Sequence, residues 1–205
     1  MRFAVLVSGS GSNLQALLEA EAQGRLAPAE LAVVISNRPG VRALERAASF
    51  GKPALTVDHR AYADRETFER ALLAHLEQHR VEAVVLAGFM RILTPTFLER
   101  FPERILNTHP SLLPAFPGAH APADAVAYGV KVSGVTVHLV DATLDGGPIL
   151  AQRAVPVEEG DDATSLHQRI QRQEHQLLPE VVAQMARGQF LCEGRVVRTV
   201  TRDAE

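Results

Sequence analysis

Short apolar runs alternate with longer amphipathic stretches through the first half of the chain, and this rhythm constrains the fold. The apolar runs are predicted strands at residues 2–7, 31–35, 53–57 and 82–87, with another beginning at 104. The stretches between them are predicted helices at residues 12–23, 41–50 and 61–79. Strands joined through helices pair in parallel with right-handed crossovers. The sequence therefore predicts an α/β fold with a doubly wound, mostly parallel sheet and helices on both faces.

The second half of the chain departs from this rhythm. A proline-rich loop is predicted at residues 109–120, two adjacent strands at 132–140 and 149–157, and a long helix at 162–187. Thr94-Pro95 is typical of an N-cap followed by proline at the first helical position. Without a linker or an internal repeat, we predict one domain over residues 1–190 and a C-terminal tail over 191–205.

Composition disfavours several classes of function. The formal net charge is -3 and no lysine- or arginine-rich run occurs, so we predict no nucleic-acid or membrane partner. Cys192 is the single cysteine, which excludes an intramolecular disulfide and a thiolate-rich metal site. The histidines lack a recognisable ligand spacing, so no metal is predicted. The opening apolar run breaks at Ser8-Gly9, unlike a signal peptide, and a cytoplasmic location is predicted.

A glycine-rich loop, Ser8 to Asn13, follows the first predicted strand and leads into the first helix. Glycines allow a sharp turn and a close approach to a ligand, and a helix N-terminus presents N–H groups to an anion. The amides of Gly11, Ser12 and Asn13 are therefore candidates for holding a phosphate. A glycine turn without a ligand is the alternative.

A dinucleotide-binding loop is disfavoured at this position. Leu14 replaces the third glycine of the dinucleotide fingerprint, and the second strand ends in Ser36-Asn37-Arg38, without an acidic residue for a ribose. We therefore predict no NAD, and a monophosphate fits the loop better.

Asn107, His109 and Asp145 are the candidate catalytic residues. Asn107 and His109 stand two residues apart at a predicted strand end, so their side chains point to one face. An amide donor beside an imidazole suits a developing oxyanion, and a nearby carboxylate would hold the imidazolium. Asp145, in a glycine-rich turn, is the first choice for that carboxylate, and Asp141 is its competitor. A structural histidine and a turn aspartate are the alternatives.

Together these motifs resemble the phosphoribosylglycinamide formyltransferase family, the folate-dependent enzymes of purine synthesis. The matching stretches occur in the order of the family and run from residue 8 to about residue 190. They are SGSGSNLQAL (8–17), SNRPG (36–40), LAGFMRIL (86–93), LNTHPSLLPAFPG (106–118), VTVHLVDATLDGGPIL (135–150) and QRQEHQLLPEVV (171–182). The resemblance implies a formyltransferase-like, Rossmann-type catalytic domain.

The resemblance also implies a role for individual residues. The catalytic trio of the family falls on Asn107, His109 and Asp145. The site for the ribonucleotide phosphate falls on Gly11, Ser12, Asn13, Gln171 and Glu174. Folate contacts fall on Arg65, Met90, Arg91, Ile92, Leu93, Asn107, Asp141 and Asp145, with residues 141–145 forming the loop around the pterin. Within the segment 119–124, Ala121–Ala123 depart from the polar residues that bacterial members often carry.

The implied reaction moves the formyl group of 10-formyltetrahydrofolate, the co-substrate, to the amine of glycinamide ribonucleotide in a monomer or homodimer. Three alternatives remain. A formyl-folate hydrolase would carry an added N-terminal regulatory domain, and a methionyl-tRNA formyltransferase an extra C-terminal RNA-binding domain. Neither is expected, because the predicted catalytic domain begins at residue 1 and fills most of the 205 residues. A catalytically silent nucleotide-binding module, the third alternative, would keep the glycine loop but would not need Asn107, His109 and Asp145 together.

Overall fold

The computed structural model describes residues 1–200 and divides into two compact units. The first unit covers Met1–Asn107 and the second begins at Thr108. Within residues 1–200, none of the helices is both long and apolar enough to span a membrane.

The first unit alternates strands and helices, as the sequence predicts. Its elements are β1 (Arg2–Val7), α1 (Ser12–Ala22), β2 (Glu30–Ser36), α2 (Arg42–Ser49), β3 (Ala54–Thr56), α3 (Arg65–Gln78), β4 (Ala83–Leu86), α4 (Pro95–Leu98) and β5 (Ile105–His109), whose last two residues belong to the second unit.

The strands of the first unit pair in parallel in the order β3-β2-β1-β4-β5. The chain runs from β1 outward to β3 and then returns to place β4 on the other side of β1. Such a reversal opens a crevice at the carboxyl ends of the two central strands, where open α/β sheets bind ligands. Near these ends, Leu6 of β1 pairs with Leu86 of β4, and Leu86 pairs in turn with Asn107 of β5. The loops after β1 and β4 therefore emerge at the same sheet edge as Asn107.

The core of the first unit consists of apolar strands covered by helices. Residues 3–7 of β1 and 83–85 of β4 are fully buried, as expected for parallel strands shielded on both faces. Helix α1 buries Leu14, Leu17 and Leu18, the face that its spacing predicts. The burial of this side of the helix fixes the glycine loop that precedes it.

Helix α3 begins later than the sequence predicts. Residues 59–61 form a separate 3-10 helix, and α3 begins at Arg65 rather than at residue 61. Asp64 is the N-cap, and its carboxylate accepts a hydrogen bond of 2.8 Å from the Thr67 N–H. Because a capping carboxylate satisfies an amide that has no partner within the helix, the helix starts there.

The second unit contains α5 (Ala121–Tyr128), β6 (Val132–Leu139), β7 (Ile149–Pro156), α6 (Ala163–Ala186), β8 (Phe190–Glu193) and β9 (Val196–Thr199). Strands β6 and β7 pair antiparallel, and Asp162 caps α6 in a capping box, which confirms the two predicted strands and the long helix. With parallel pairing throughout the first unit and this antiparallel pair in the second, the predicted mostly parallel α/β class is confirmed.

Two features of the second unit are absent from the sequence prediction. Ala121–Tyr128 forms helix α5, whose first turn includes Pro122 and the departing residues Ala121–Ala123. Strands β8 and β9 pair antiparallel from Phe190 to Thr199, where the sequence predicts a tail over 191–205, and residues 201–205 of that tail lie outside the described part. Helix α5 carries Asp124 as its single charged side chain and the two strands have four residues each, so neither element shows a clear periodic pattern. The assignment of residues 1–190 to one catalytic domain stays a prediction.

Candidate functional site

The glycine loop takes the shape expected of an anion-binding turn. Gly11 is the N-cap residue of α1 in the left-handed conformation, with φ of 71°. A Cβ at this position would lie 2.7 Å from the Cβ of Ala43, so α2 packs against the loop too closely for any side chain. No side chain caps α1. The first turn of α1 therefore has the dipole and amide arrangement that favours a phosphate.

The hydroxyl of Ser8 connects three loops at the carboxyl edge of the first sheet. It donates a hydrogen bond of 2.6 Å to Asn37 Oδ1 and accepts one of 2.9 Å from the Met90 N–H. Both Ser8 and Asn37 are buried. The ends of β1, β2 and β4 are thus held together by one side chain, a role that the sequence analysis did not assign to Ser8.

The segment after β4 exposes two large apolar side chains and buries a third. Met90 is 67% exposed and Ile92 is 59% exposed, whereas Leu93 is buried. The guanidinium of Arg91 stands 5.8 Å from the centre of the Phe68 ring, within the range of a cation–π contact. The segment therefore offers apolar surface at the carboxyl edge of the first sheet, and the buried Leu93 anchors it.

Glu69 on α3 fixes the end of this segment. Its buried carboxylate accepts a hydrogen bond of 2.9 Å from the Thr94 N–H and a second from the Thr94 hydroxyl. Thr94 is the N-cap residue of α4, as predicted, but its side chain bonds to Glu69 rather than capping the helix. Arg65, the first residue of the same α3, is exposed.

His109 and Asp145 form a largely buried pair in the second unit. His109 Nδ1 lies 3.5 Å from Asp145 Oδ2, and the two side chains are 6% and 9% exposed. His109 Nε2 donates a hydrogen bond of 2.8 Å to the Phe116 carbonyl. Both ring nitrogens thus face oxygen atoms, Nδ1 the Asp145 carboxylate and Nε2 the Phe116 carbonyl.

Asp145, not its competitor Asp141, is the carboxylate beside His109. Asp145 has a positive φ of 49°, a conformation in which aspartate is enriched among non-glycine residues. Its Oδ2 also accepts a hydrogen bond of 2.7 Å from the Gly118 N–H. Asp141 is exposed, and its carboxylate accepts the Thr143 N–H at 2.7 Å within the turn.

His138 is a third member of this cluster that the sequence analysis did not assign. Its Nε2 lies 3.8 Å from Asp145 Oδ1, and its Nδ1 donates to the Leu139 carbonyl at 2.9 Å. Burial lowers the pKa of the His138 imidazole, against the opposing effects of the Leu139 carbonyl and the Asp145 charge. The sequence did carry a sign of this role, because His138 is an ionisable residue within the mostly apolar strand segment VTVHLV.

The loop after His109 is held by a buried polar network. Thr136 Oγ1 donates to the Ser111 carbonyl at 2.7 Å and accepts the Leu113 N–H at 3.0 Å. Gln152 Nε2 donates to the Leu113 carbonyl at 2.9 Å. Strands β6 and β7 therefore fix the backbone that carries Phe116 and Gly118, the two partners of the His109–Asp145 pair.

The remaining predicted residues occupy separate elements. Asn107 is half-buried on β5, two residues before His109, so the two side chains share one face of the strand. Gln171 and Glu174 lie one turn apart on α6, and Glu174 is buried. The binding roles assigned to these residues stay predictions. Within residues 1–200, no group of three or more His, Cys, Asp or Glu side chains is arranged to hold a metal ion.

Comparison with known proteins identifies the family. The family profile described as formyl transferase matches residues 1–182. Phosphoribosylglycinamide formyltransferase of Mycobacterium tuberculosis is 52% identical over 90% of this chain and 85% of its own length. The crystal structure of glycinamide ribonucleotide transformylase 1 from Symbiobacterium toebii superposes with a TM-score of 0.96 at 49% identity, covering 98% of this chain and 94% of that one.

A longer relative contains the same region as a small part. The trifunctional purine biosynthetic protein adenosine-3 of Drosophila melanogaster is 45% identical over 95% of this chain, which spans only 14% of that protein. The match of the profile to most of the chain and the identity to relatives of similar length lead to one conclusion. The chain belongs to the phosphoribosylglycinamide formyltransferase family, within the wider group of formyl transferases.

Proposed function

We propose that the protein transfers the formyl group of 10-formyltetrahydrofolate to the amine of glycinamide ribonucleotide, a step of de novo purine synthesis. The observation that carries the proposal is the buried His109–Asp145 pair, with 3.5 Å between Nδ1 and Oδ2, at the end of the strand that also bears Asn107. These side chains supply an amide donor, an imidazole and a carboxylate, the groups that acyl transfer to an amine requires.

The chemistry is an addition followed by an elimination. The amine nitrogen of the ribonucleotide forms a bond to the formyl carbon, and the formyl oxygen becomes an oxyanion. The bond between that carbon and N10 of the folate then breaks, and the proton lost by the amine ends on N10. The products are formylglycinamide ribonucleotide and tetrahydrofolate.

Asn107 and His109 would stabilise the oxyanion. The Asn107 amide and a ring N–H of His109 are donors on one face of β5. The His109 Nε2–H that donates to the Phe116 carbonyl is the N–H that an approaching oxyanion would compete for. Once the His109 N–H leaves the Phe116 carbonyl, donors fixed on one strand need no further reorganisation as the charge develops, and this lowers the barrier.

Asp145 would hold the imidazolium and pass the amine proton. Its carboxylate stands beside His109 Nδ1, and the Gly118 N–H fixes Oδ2 at 2.7 Å. The carboxylate beside the ring would orient an imidazolium formed during the reaction. Asp145 would take the proton from the amine, directly or through water, and the proton would then reach N10 of the folate.

The two substrates have candidate surfaces among the described residues. The first turn of α1, at Gly11–Asn13, suits the phosphate of the ribonucleotide, with Gln171 and Glu174 of α6 as further contacts. The folate would contact the segment Met90–Leu93. Arg65, Asn107 and Asp141 are proposed as further folate contacts. Asp145 would contact the folate in addition to its role towards the amine. The exposure of Met90 and Ile92 supports an apolar contact with a ring system.

An absorbance assay tests the proposal. Purified protein is mixed with a 10-formylfolate analogue, with and without glycinamide ribonucleotide, and loss of the formyl group is followed. Deformylation only in the presence of the ribonucleotide is expected. Deformylation in its absence would replace the proposal with a hydrolase, and tight binding without turnover would replace it with a nucleotide-binding module.

A further inference from the structure

The residues after α6 form a hairpin with a tight turn. Glu193 pairs with Val196 across β8 and β9, so Gly194 and Arg195 alone make the connection. Gly194 has a φ of 63°, which a two-residue hairpin turn requires and glycine permits. Arg198 on β9 forms a 3.1 Å ion pair with Glu193. The hairpin is therefore a defined element that presents Arg195 at its tip.

The tip of the hairpin contacts the loop that carries Asp145. Arg195 Nη1 donates a hydrogen bond of 2.6 Å to the carbonyl of Gly146, a residue 49 positions earlier in the chain. Strand β9 also contacts β7, which begins at Ile149 shortly after that loop. The hairpin thus contacts the strand that leaves the loop, and its turn reaches the loop itself.

The contact falls on the peptide unit between Gly146 and Gly147, one residue after the candidate catalytic carboxylate. Asp145 is held in a left-handed conformation, and the next residues pack tightly, because a Cβ on Gly147 would lie 1.9 Å from the Leu139 carbonyl oxygen. The Gly118 N–H fixes the carboxylate of Asp145. Arg195 fixes the backbone on the other side of the same residue, at the Gly146 carbonyl.

We propose that Arg195 is a positioning residue for formyl transfer, acting through the Gly146 carbonyl on the orientation of Asp145. The proposal rests on the function proposed above. Arg195 bonds to a backbone carbonyl, not to reacting atoms, so its effect is on geometry. A small displacement of a catalytic group lowers turnover even when binding is intact.

Three variants test the role of Arg195. Arg195→Ala removes the hydrogen bond, and Arg195→Lys keeps a cationic donor. Arg198→Ala removes an exposed arginine from the same hairpin, and with it only the solvent-exposed ion pair to Glu193, without touching the loop. We expect Arg195→Ala to lower kcat by about threefold to tenfold, the effect of losing one hydrogen bond. Arg195→Lys should recover part of that loss, and Arg198→Ala should stay within about twofold of the parent.

Hydrogen exchange of the peptide spanning residues 141–147 provides a readout that is independent of turnover. Faster exchange there in Arg195→Ala than in Arg198→Ala, at equal thermal stability, is expected. Equal exchange and equal kcat in these two variants would overturn the positioning role. If the parent protein does not transfer formyl groups, the proposed function fails, and the exchange comparison still decides whether Arg195 orders the loop.

Discussion

Replacing Asp145 by asparagine tests the electrostatic role of the carboxylate. Asparagine keeps the shape of the side chain and an oxygen that can accept the Gly118 N–H, which is now held at 2.7 Å. What disappears is the negative charge 3.5 Å from His109 Nδ1. The substitution therefore separates charge from packing.

The distance between the Asp145 carboxylate and His109 Nδ1 determines how much the loss of the charge should raise the barrier. Opposite charges about 4 Å apart interact by about 4 kcal/mol at the effective dielectric constant of protein sites. Because the amide dipole of asparagine retains part of this interaction, we expect Asp145→Asn to raise the barrier by roughly 3 kcal/mol, or about a hundredfold in kcat.

The assay is the deformylation rate at saturating concentrations of both substrates. Asp124→Asn is the matched control, since Asp124 lies in the first turn of α5 and is exposed. The control should keep its kcat within about twofold of the parent. A folded Asp145→Asn enzyme with kcat within about tenfold of the parent would refute the electrostatic reasoning.

Three other predictions concern oxyanion stabilisation, backbone geometry and pH. Asn107→Ala should cut kcat by about a hundredfold or more without unfolding, measured by turnover and circular dichroism, and near-normal turnover would contradict its donor role. Gly11→Ala should lower the free energy of unfolding by about 2–4 kcal/mol in urea, because of its positive φ and the close approach of Ala43. Gly9→Ala, where a Cβ meets nothing within 4 Å, is the control, and equal losses would refute the argument. Because burial lowers the pKa of His138 from 6.5, the unfolded chain binds more protons as the pH falls, and stability should decrease below about pH 6.5. The free energy of unfolding in urea, measured at about pH 7.5 and about pH 5.5, should fall less in His138→Gln than in the parent protein. Equal decreases in the two proteins would contradict this.

The local pattern of apolar and polar residues was sufficient to predict most of the secondary structure. Apolar runs and amphipathic spacing depend on neighbouring residues, so they predicted the strands of the first unit and the long α6. The same information misplaced the start of α3, because the capping hydrogen bond of Asp64 competes with the helical pattern upstream. It also missed α5 and the β8–β9 hairpin. Residues 121–128 carry Asp124 as their single charged side chain, so α5 shows little contrast between a polar and an apolar face, and each hairpin strand has only four residues.

The candidate site, like the fold, was predicted from the sequence only in part. By itself, the sequence placed Asn107 and His109 on one face of a strand, because strand alternation is a property of the backbone. Spacing left Asp141 and Asp145 as competitors, since a turn of unknown dihedral angles can direct either side chain inward. The positive φ of Asp145 and the Gly118 N–H decide between them.

Contacts between distant parts of the chain were decided by the tertiary structure alone. The Ser8 hydroxyl joins the loops after β1, β2 and β4. His138 lies beside Asp145, and Arg195 reaches Gly146 across 49 positions of sequence. No local propensity encodes these distances, because each depends on how strands and turns pack after the elements have formed. The sequence determined which elements and chemical groups the protein has, and packing determined which of those groups meet.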